Sequence, residues 1–324
     1  LNLRRWFLLL ALLPAPGAAE VYVPLIWPTA RVTGVAGAVT ALSDGIETAL
    51  WNPAGLGFTR GIGAAGTLCE WQPVLWTGMK YSYAAAGVGF PGLLPGRRTL
   101  GFGFDYALLD WGTMHDPEGL QQYSWERMIG LHCGALILPG FSAGISARLV
   151  SNKDVGLPIS VFAGSAGLLY RHNRFLSAGL AVANLGPGIR HSSYYTASMP
   201  AQLRLGLAVK PLDTDLLRIR LLPEYSLALN RADDVWQVSA LTLGAEAVLI
   251  RYLTARFGEH FSFERDGRLM QKTALSIGIG YLDYVRLEFS SEWWNTSGTE
   301  SATGKFSLAL NDVVGLVREL GKGI

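Results

Sequence analysis

Val285-Arg-Leu-Glu-Phe-Ser290 alternates apolar and polar residues at every step. Successive strand residues face opposite sides of a sheet, so Val285, Leu287 and Phe289 share one face and Arg286, Glu288 and Ser290 the other. The pattern recurs. Leu203, Leu205 and Leu207 alternate with Gln202, Arg204 and Gly206, and Ile219, Leu221 and Tyr225 alternate with Arg218, Arg220 and Glu224. Phe102, Phe104 and Tyr106 turn away from Asp105.

Half of the 324 residues are hydrophobic and only 16% are charged, yet past the first residues no apolar run reaches the roughly 20 residues that a membrane helix needs. Apolar character spread over every second position, with 39 glycines, fits a transmembrane β-barrel. The formal charge of +2 and the lack of a basic stripe with interleaved aromatics exclude a nucleic-acid role.

Segments of strand length run over 61–69, 77–90, 99–109, 124–137, 141–151, 159–170, 175–184, 201–210, 216–228, 236–247, 249–258, 272–281, 284–292 and 303–311. Fourteen is an even number, as single-chain bacterial barrels require. The connections alternate in length. Long or polar ones fall at 110–123, 185–200, 259–271 and 293–302, and tight ones at 139–140, 171–174, near Val248 and at 282–283. Outer-membrane barrels place short turns on the periplasmic rim and long loops outside. Both termini then lie on the periplasmic side.

The expected architecture is an all-β, antiparallel transmembrane barrel of about 14 strands in the bacterial outer membrane, with a short helical hatch in its lumen. Residues 1–19 read as a signal peptide. Arg4 and Arg5 precede an apolar core from Trp6 to Leu13, and Gly17-Ala18-Ala19 offers a cleavage site after Ala19. Residues 20–60 are the hatch segment, 61–311 the barrel and 312–324 a tail. In the tail, Val313, Leu316, Val317 and Leu320 recur at helical spacing and predict a short amphipathic helix at the periplasmic rim or a partner contact. Residues 20–33, with Pro24 and Pro28, read as an extended lead-in.

The hatch rests on Gly37-Ala-Val-Thr-Ala-Leu-Ser-Asp-Gly-Ile-Glu-Thr-Ala-Leu-Trp-Asn-Pro-Ala-Gly-Leu-Gly57. Asp44 and Glu47 have the spacing of a capping box, which predicts a short helix that Asn52-Pro53 ends. Asp44, Glu47, Asn52, Pro53, Ala54 and Gly55 are the hatch and gating candidates. The lumen-lining candidates are Arg148, Arg204, Arg218, Arg220, Glu224, Glu246, Arg256, Arg286 and Glu288. These charges either pair across the lumen, as buried charges must, or present a surface to a polar or anionic partner. Pairing is preferred, because a narrow barrel has to fill its interior.

Enzymatic motifs are absent or out of context. Gly61-Ile-Gly63-Ala-Ala-Gly66 matches a dinucleotide fingerprint but lacks the strand before it and the helix after it. The five histidines are dispersed, with no pair at metal-ligand spacing, and no Gly-x-Ser-x-Gly elbow occurs. No catalytic residue, metal or cofactor is expected. Trp71, Trp76, Trp111, Trp125, Trp293 and Trp294 fall near strand ends on the outer side, as an aromatic girdle would. Cys69 and Cys133 can be oxidised to each other or stay as small buried hydrophobes, and free thiols are the preferred reading.

The stretches Ala41-Leu-Ser-Asp-Gly45 and Ala49-Leu-Trp-Asn-Pro-Ala-Gly-Leu56 resemble the N-terminal signature of the PorV/PorQ family of outer-membrane proteins, related to the FadL class of transport barrels. The similarity continues through Thr99–Tyr106, Leu180–Pro187, Pro200–Gly206 and Gly244–Arg256. The resemblance implies a fourteen-stranded barrel with Asp44–Gly57 as a periplasmic-side hatch. It further implies a non-enzymatic role in secretion or surface attachment of proteins of the type IX kind, with outer-membrane lipids, secreted cargo proteins or secretion-system components as partners. The alternative is a FadL-like passive transporter of small hydrophobic compounds. The inward arginines and long outer loops lean toward the former.

Overall fold

The computed structural model describes residues 21–71, 78–96, 98–115, 121–153, 157–190, 196–230, 237–265, 267–281, 284–296 and 299–320. The signal peptide read at 1–19, Trp76 and His191 lie outside them.

Fourteen antiparallel strands close into one barrel. They are β1 Gly61–Glu70, β2 Lys80–Leu94, β3 Arg98–His115, β4 Gln121–Leu138, β5 Phe141–Lys153, β6 Ile159–Arg171, β7 Leu176–Leu185, β8 Gln202–Asp213, β9 Leu217–Ala228, β10 Gln237–Leu249, β11 Leu253–Glu264, β12 Leu269–Tyr281, β13 Val285–Thr296 and β14 Thr299–Leu310. β1 pairs with β14, Ala64 opposite Leu310, so no edge is left unpaired. Each segment expected from alternation is a strand.

The faces separate as expected. Leu205, Leu221, Phe102 and Phe289 are exposed on the outer wall, where the membrane covers them. Arg204, Arg220, Asp105 and Glu288 are buried inside it.

Several expectations need correction. The polar stretches 259–271 and 293–302 are largely strand rather than loop: the β11–β12 ladder runs out to Phe263 opposite Leu269, and the β13–β14 ladder to Thr296 opposite Thr299. Polar side chains are compatible with a ladder that projects beyond the membrane, because the backbone bonds there do not depend on an apolar face. Between β7 and β8 a small hairpin pairs Ile189 with Ala197.

Residues 21–60 fill the lumen and are almost wholly buried. The expected capping-box helix is absent. Two short 3-10 segments, Ile46–Leu50 and Pro53–Phe58, stand in its place. Gly45, at φ 116°, occupies the cap position of the first, and no side chain caps it. Asn52 caps the second with its side-chain oxygen, and Pro53 opens that segment rather than only ending the one before. The α-helix of the lumen, α1 Ala30–Gly34, lies in the stretch expected to be extended. Thr29 caps it, its hydroxyl accepting from the Val32 amide.

Val21, the first described residue, donates to the Ser198 carbonyl in the long-connection rim, and the segment leaves the lumen at the short-turn rim, where β1 begins. The N-terminus itself, expected on the periplasmic side, lies outside the described residues. At the other end of the chain, α2 Val313–Leu320 is helical as expected and packs beside the start of β1, with Asp312 against Gly61.

The tryptophans do not form a single girdle. Trp293 is exposed on the outer wall, but Trp71 is buried inside beneath the Lys305 ammonium, and Trp111 packs edge-on against Tyr22 of the luminal segment. Cys69 and Cys133 are free.

Candidate functional site

The luminal segment is seated on glycines. Gly101 of β3 faces Leu56, Gly134 of β4 and Gly144 of β5 face Pro53, Gly167 of β6 faces Asn52, Gly179 of β7 faces Thr40, and Gly258 of β11 faces Val35 and Ala36. A Cβ at any of these positions would lie closer to the segment than real Cβ atoms lie to anything. Each of these glycines occupies a lumen-facing position of its strand. Between residues 56 and 35 the chain therefore runs around the inner wall in a shallow track from which side chains have been removed.

Asn52 fixes the middle of the track. Its amide nitrogen donates to the Thr40 carbonyl at 2.8 Å and to the Leu168 carbonyl of the wall at 3.1 Å, while its oxygen accepts from the Ala54 amide. The Ala54 carbonyl accepts from the Ser142 hydroxyl of β5 at 2.7 Å. Asn52-Pro53-Ala54 thus spends its polar groups on the barrel wall, and Gly55 packs back against Thr48 and Leu42.

Charge pins the segment where it turns. Arg31 of α1, fully buried, pairs with Asp44 at 3.0 Å, Glu47 at 3.4 Å and the wall residue Glu246 at 3.5 Å. Arg220 pairs with Asp44 at 3.1 Å and Glu246 at 3.2 Å. Arg256 holds Glu246 at 2.6 Å and Glu288 at 2.9 Å, and Arg286 holds Glu47 at 2.8 Å. The cluster is a closed network of four arginines and four carboxylates, neutral as a whole. Buried charges persist only when paired in this way.

The Asp44 and Glu47 carboxylates that the sequence suggested as a cap serve instead as ion partners. Enclosure raises the Asp44 carboxyl, but the Arg220, Arg31 and Arg286 guanidiniums override it and hold it well below the usual carboxylate range. A carboxylate so depressed stabilises the seated state at neutral pH, and that contribution is lost only as pH falls through the lowered value. The pin is therefore set throughout the physiological range.

The remaining candidates are dispersed. Glu224 accepts from the Thr40 amide at 2.9 Å. Arg204 stacks 4.6 Å over Trp51 and donates to Gln202. Arg148 bonds Ser165 of the adjacent β6 and Asn184 of β7 beyond it. Arg218 pairs with Asp213 at the short-turn rim, outside the network.

Sequence reasoning missed three anchors. Arg31 is the only charged residue between Glu20 and Asp44, a signal that was readable. Lys305, fully buried, reaches Glu292, the Trp27 carbonyl and the Thr33 hydroxyl at 2.9–3.0 Å. Glu126 accepts from the amides of Tyr22 and Val23 at 2.9 Å each. Among the described residues no group of three or more His, Cys, Asp or Glu is arranged to hold a metal ion.

The described residues line cavities beside the segment. One of about 80 Å³ lies among Trp27, Trp51, Arg204, His260 and Lys272. A larger one of about 490 Å³ opens at the short-turn rim next to Asp44.

No family model and no curated protein sequence matches this chain. Solved structures do. The CymD monoaromatic hydrocarbon channel aligns with a TM-score of 0.57 at 12% identity, over 91% of this chain and 99% of that one. The toluene transporter TodX of Pseudomonas putida aligns at 0.53 and 12%, over 91% and 98%. A FadL homologue of Pseudomonas aeruginosa aligns at 0.54 and 11%, over 92% and 99%. At such identities the likeness is one of fold, and the fold is that of FadL-type barrels of the bacterial outer membrane.

Proposed function

We propose that this protein is a passive outer-membrane channel for small hydrophobic molecules, gated by residues 21–60 acting as a hatch. The observation that carries this reading is the seat itself. A segment that follows a track of glycines and is pinned by a neutral charge network can leave and return without unfolding the barrel, whose strands pair only with one another. The structures of like fold include a monoaromatic hydrocarbon channel and a toluene transporter, which supports a hydrophobic solute over protein cargo.

The secretion reading suggested by the PorV/PorQ-like motifs gains no comparable support. A cargo shuttle that grips a β-domain by adding a strand needs an open sheet edge, and the closed barrel offers none.

Lipopolysaccharide is the barrier that makes such a channel useful, so the test belongs in cells that carry it. Cells expressing the protein take up radiolabelled toluene several-fold faster than cells with an empty vector. Equal initial rates at matched protein levels would sink the channel reading.

A further inference from the structure

We propose that the outer wall of β4–β6 carries a binding site for the phosphorylated glycolipid of the outer leaflet, the lipid A part of lipopolysaccharide. Glu126 and Met128 are buried inside the barrel, so Trp125, Arg127 and Ile129, which alternate with them, face the membrane. The register extends this face sideways. Ile129 lies opposite Leu149 of β5, and Leu149 opposite Phe162 of β6; one step nearer the long-connection rim the row reads Arg127, Ser151 and Ser160. A further step up, Lys153 stands opposite Trp125.

That change from apolar to polar rows marks the edge of the bilayer. β4 ends at Leu138, beside the short turn, and Arg127 precedes it by 11 positions. A tilted strand needs roughly 9–11 residues to cross the hydrocarbon core, so Arg127 emerges at the level of the outer headgroups. Leu131 and Phe162, both exposed, belong to the apolar band beneath it. Trp125 and Tyr123 sit above that band, where aromatic rings favour the interface.

The cations at this level are uncommitted. The Arg127 guanidinium stacks 5.0 Å over the Trp125 ring, and its Nε is buried without a hydrogen-bond partner. Among the described residues neither Arg127 nor Lys153 forms an ion pair. Asp110, beside Trp125 in register on β3, accepts from the Gly112 amide at 2.8 Å and lies opposite Lys80 of β2. Ser151 and Ser160 bond each other at 2.8 Å, which uses only one of their two hydroxyl protons. Arg127 and Lys153 are diagonal neighbours on adjacent strands, with backbones about 7–8 Å apart, so both long side chains reach one phosphate. A guanidinium held flat on an indole presents its free N–H groups as a fork that matches two phosphate oxygens.

The wall below selects the rest of the ligand. An oxyanion held by Arg127 has Phe162 and Leu131 directly beneath it, within the membrane, so the body attached to it is hydrocarbon. Lipid A meets both demands, with phosphates at headgroup level and acyl chains that run down the wall. On the inner face of the same stretch, Glu126 accepts from the amides of Tyr22 and Val23, so lipid and luminal segment grip opposite sides of β4.

The test is native mass spectrometry of the detergent-solubilised protein, stripped of lipopolysaccharide and titrated with bisphosphorylated lipid A. One lipid bound ahead of all others is expected. Arg127→Gln/Lys153→Gln weakens its binding about tenfold or more, as loss of charged donors does. Arg174→Gln, a change of the same kind at the short-turn rim, leaves it as in the parent, and both variants keep the compact gel mobility of a folded barrel. Unchanged affinity in Arg127→Gln/Lys153→Gln overturns the proposal. So does parent protein that binds dephosphorylated lipid A, or inorganic phosphate alone, as tightly as bisphosphorylated lipid A. None of these readouts involves transport, so a failure to take up toluene leaves the lipid site standing, and the reverse also holds.

Discussion

Arg31→Met releases the hatch while the barrel stays folded. Arg31 is the only cation that the luminal segment contributes to the charge network, and it touches Asp44, Glu47 and Glu246 at once. Removing it leaves four buried or half-buried carboxylates facing three arginines. Breaking a buried pair by deleting one partner costs about 3–5 kcal/mol, because the remaining charge is left uncompensated. At 1.4 kcal/mol per factor of ten, the released fraction rises by roughly two to three and a half orders of magnitude. Hydrogen exchange reads this directly: amides of residues 30–58 lose protection in Arg31→Met while those of the strands keep it. Adding Glu246→Gln rebalances the charge and restores part of the protection. Unchanged exchange in Arg31→Met would mean that the charge network does not hold the segment.

The second large effect comes from shape alone. In Gly167→Val the new Cβ falls onto the Asn52 side-chain oxygen, the atom that accepts from Ala54. Backbone and Asn52 are both fixed here, so the segment has to move away from β6. The strand itself gains, since valine suits a β-ladder better than glycine. Barrel and hatch should therefore respond in opposite directions. The folded barrel keeps its compact mobility in unheated gels, while planar-bilayer recordings show a leak that the parent protein lacks. Gly164→Val supplies the control: it lies on the same strand, where an added Cβ meets nothing closer than 3.8 Å. Equal conductance in the two variants would remove the glycine track from the account.

The barrel was legible because its signal is local. Alternation such as that of residues 285–290 needs only neighbouring residues to be read, and it places every side chain on its correct face. Strand ends were less legible. Phe263 and Glu264 continue a ladder into water, where polar composition looks the same in a strand as in a loop. The site was harder for a different reason. Asp44 and Glu47 have the right types and spacing for a cap, and only residues far away in sequence turn them to another use: Arg220 lies 176 positions from Asp44, and Arg286 lies 239 from Glu47. No window along the chain contains both partners. The glycine track is intermediate, because its members fall on lumen-facing positions that alternation identifies, but their meaning appears only when adjacent strands are set side by side.

The PorV/PorQ-like motif located the segment without fixing what it does. Asn52-Pro53-Ala54 is where the segment hydrogen-bonds the wall at Leu168 and Ser142, and close seating of that kind suits a transport hatch and a secretion component alike.

The central claim is that solute passes only when this segment leaves its seat. A Cβ built on Gly206 lies 3.3 Å from the Thr40 Cβ, close to the spacing of about 3.5–4.5 Å found in disulfides. Thr40→Cys/Gly206→Cys, with Cys69 and Cys133 replaced by alanine, therefore staples segment to wall. Toluene uptake by cells carrying this variant is predicted to fall to the empty-vector rate when the staple is oxidised and to recover on reduction. Uptake that is equally fast in both states would contradict the account, because solute would then be passing a hatch that cannot move.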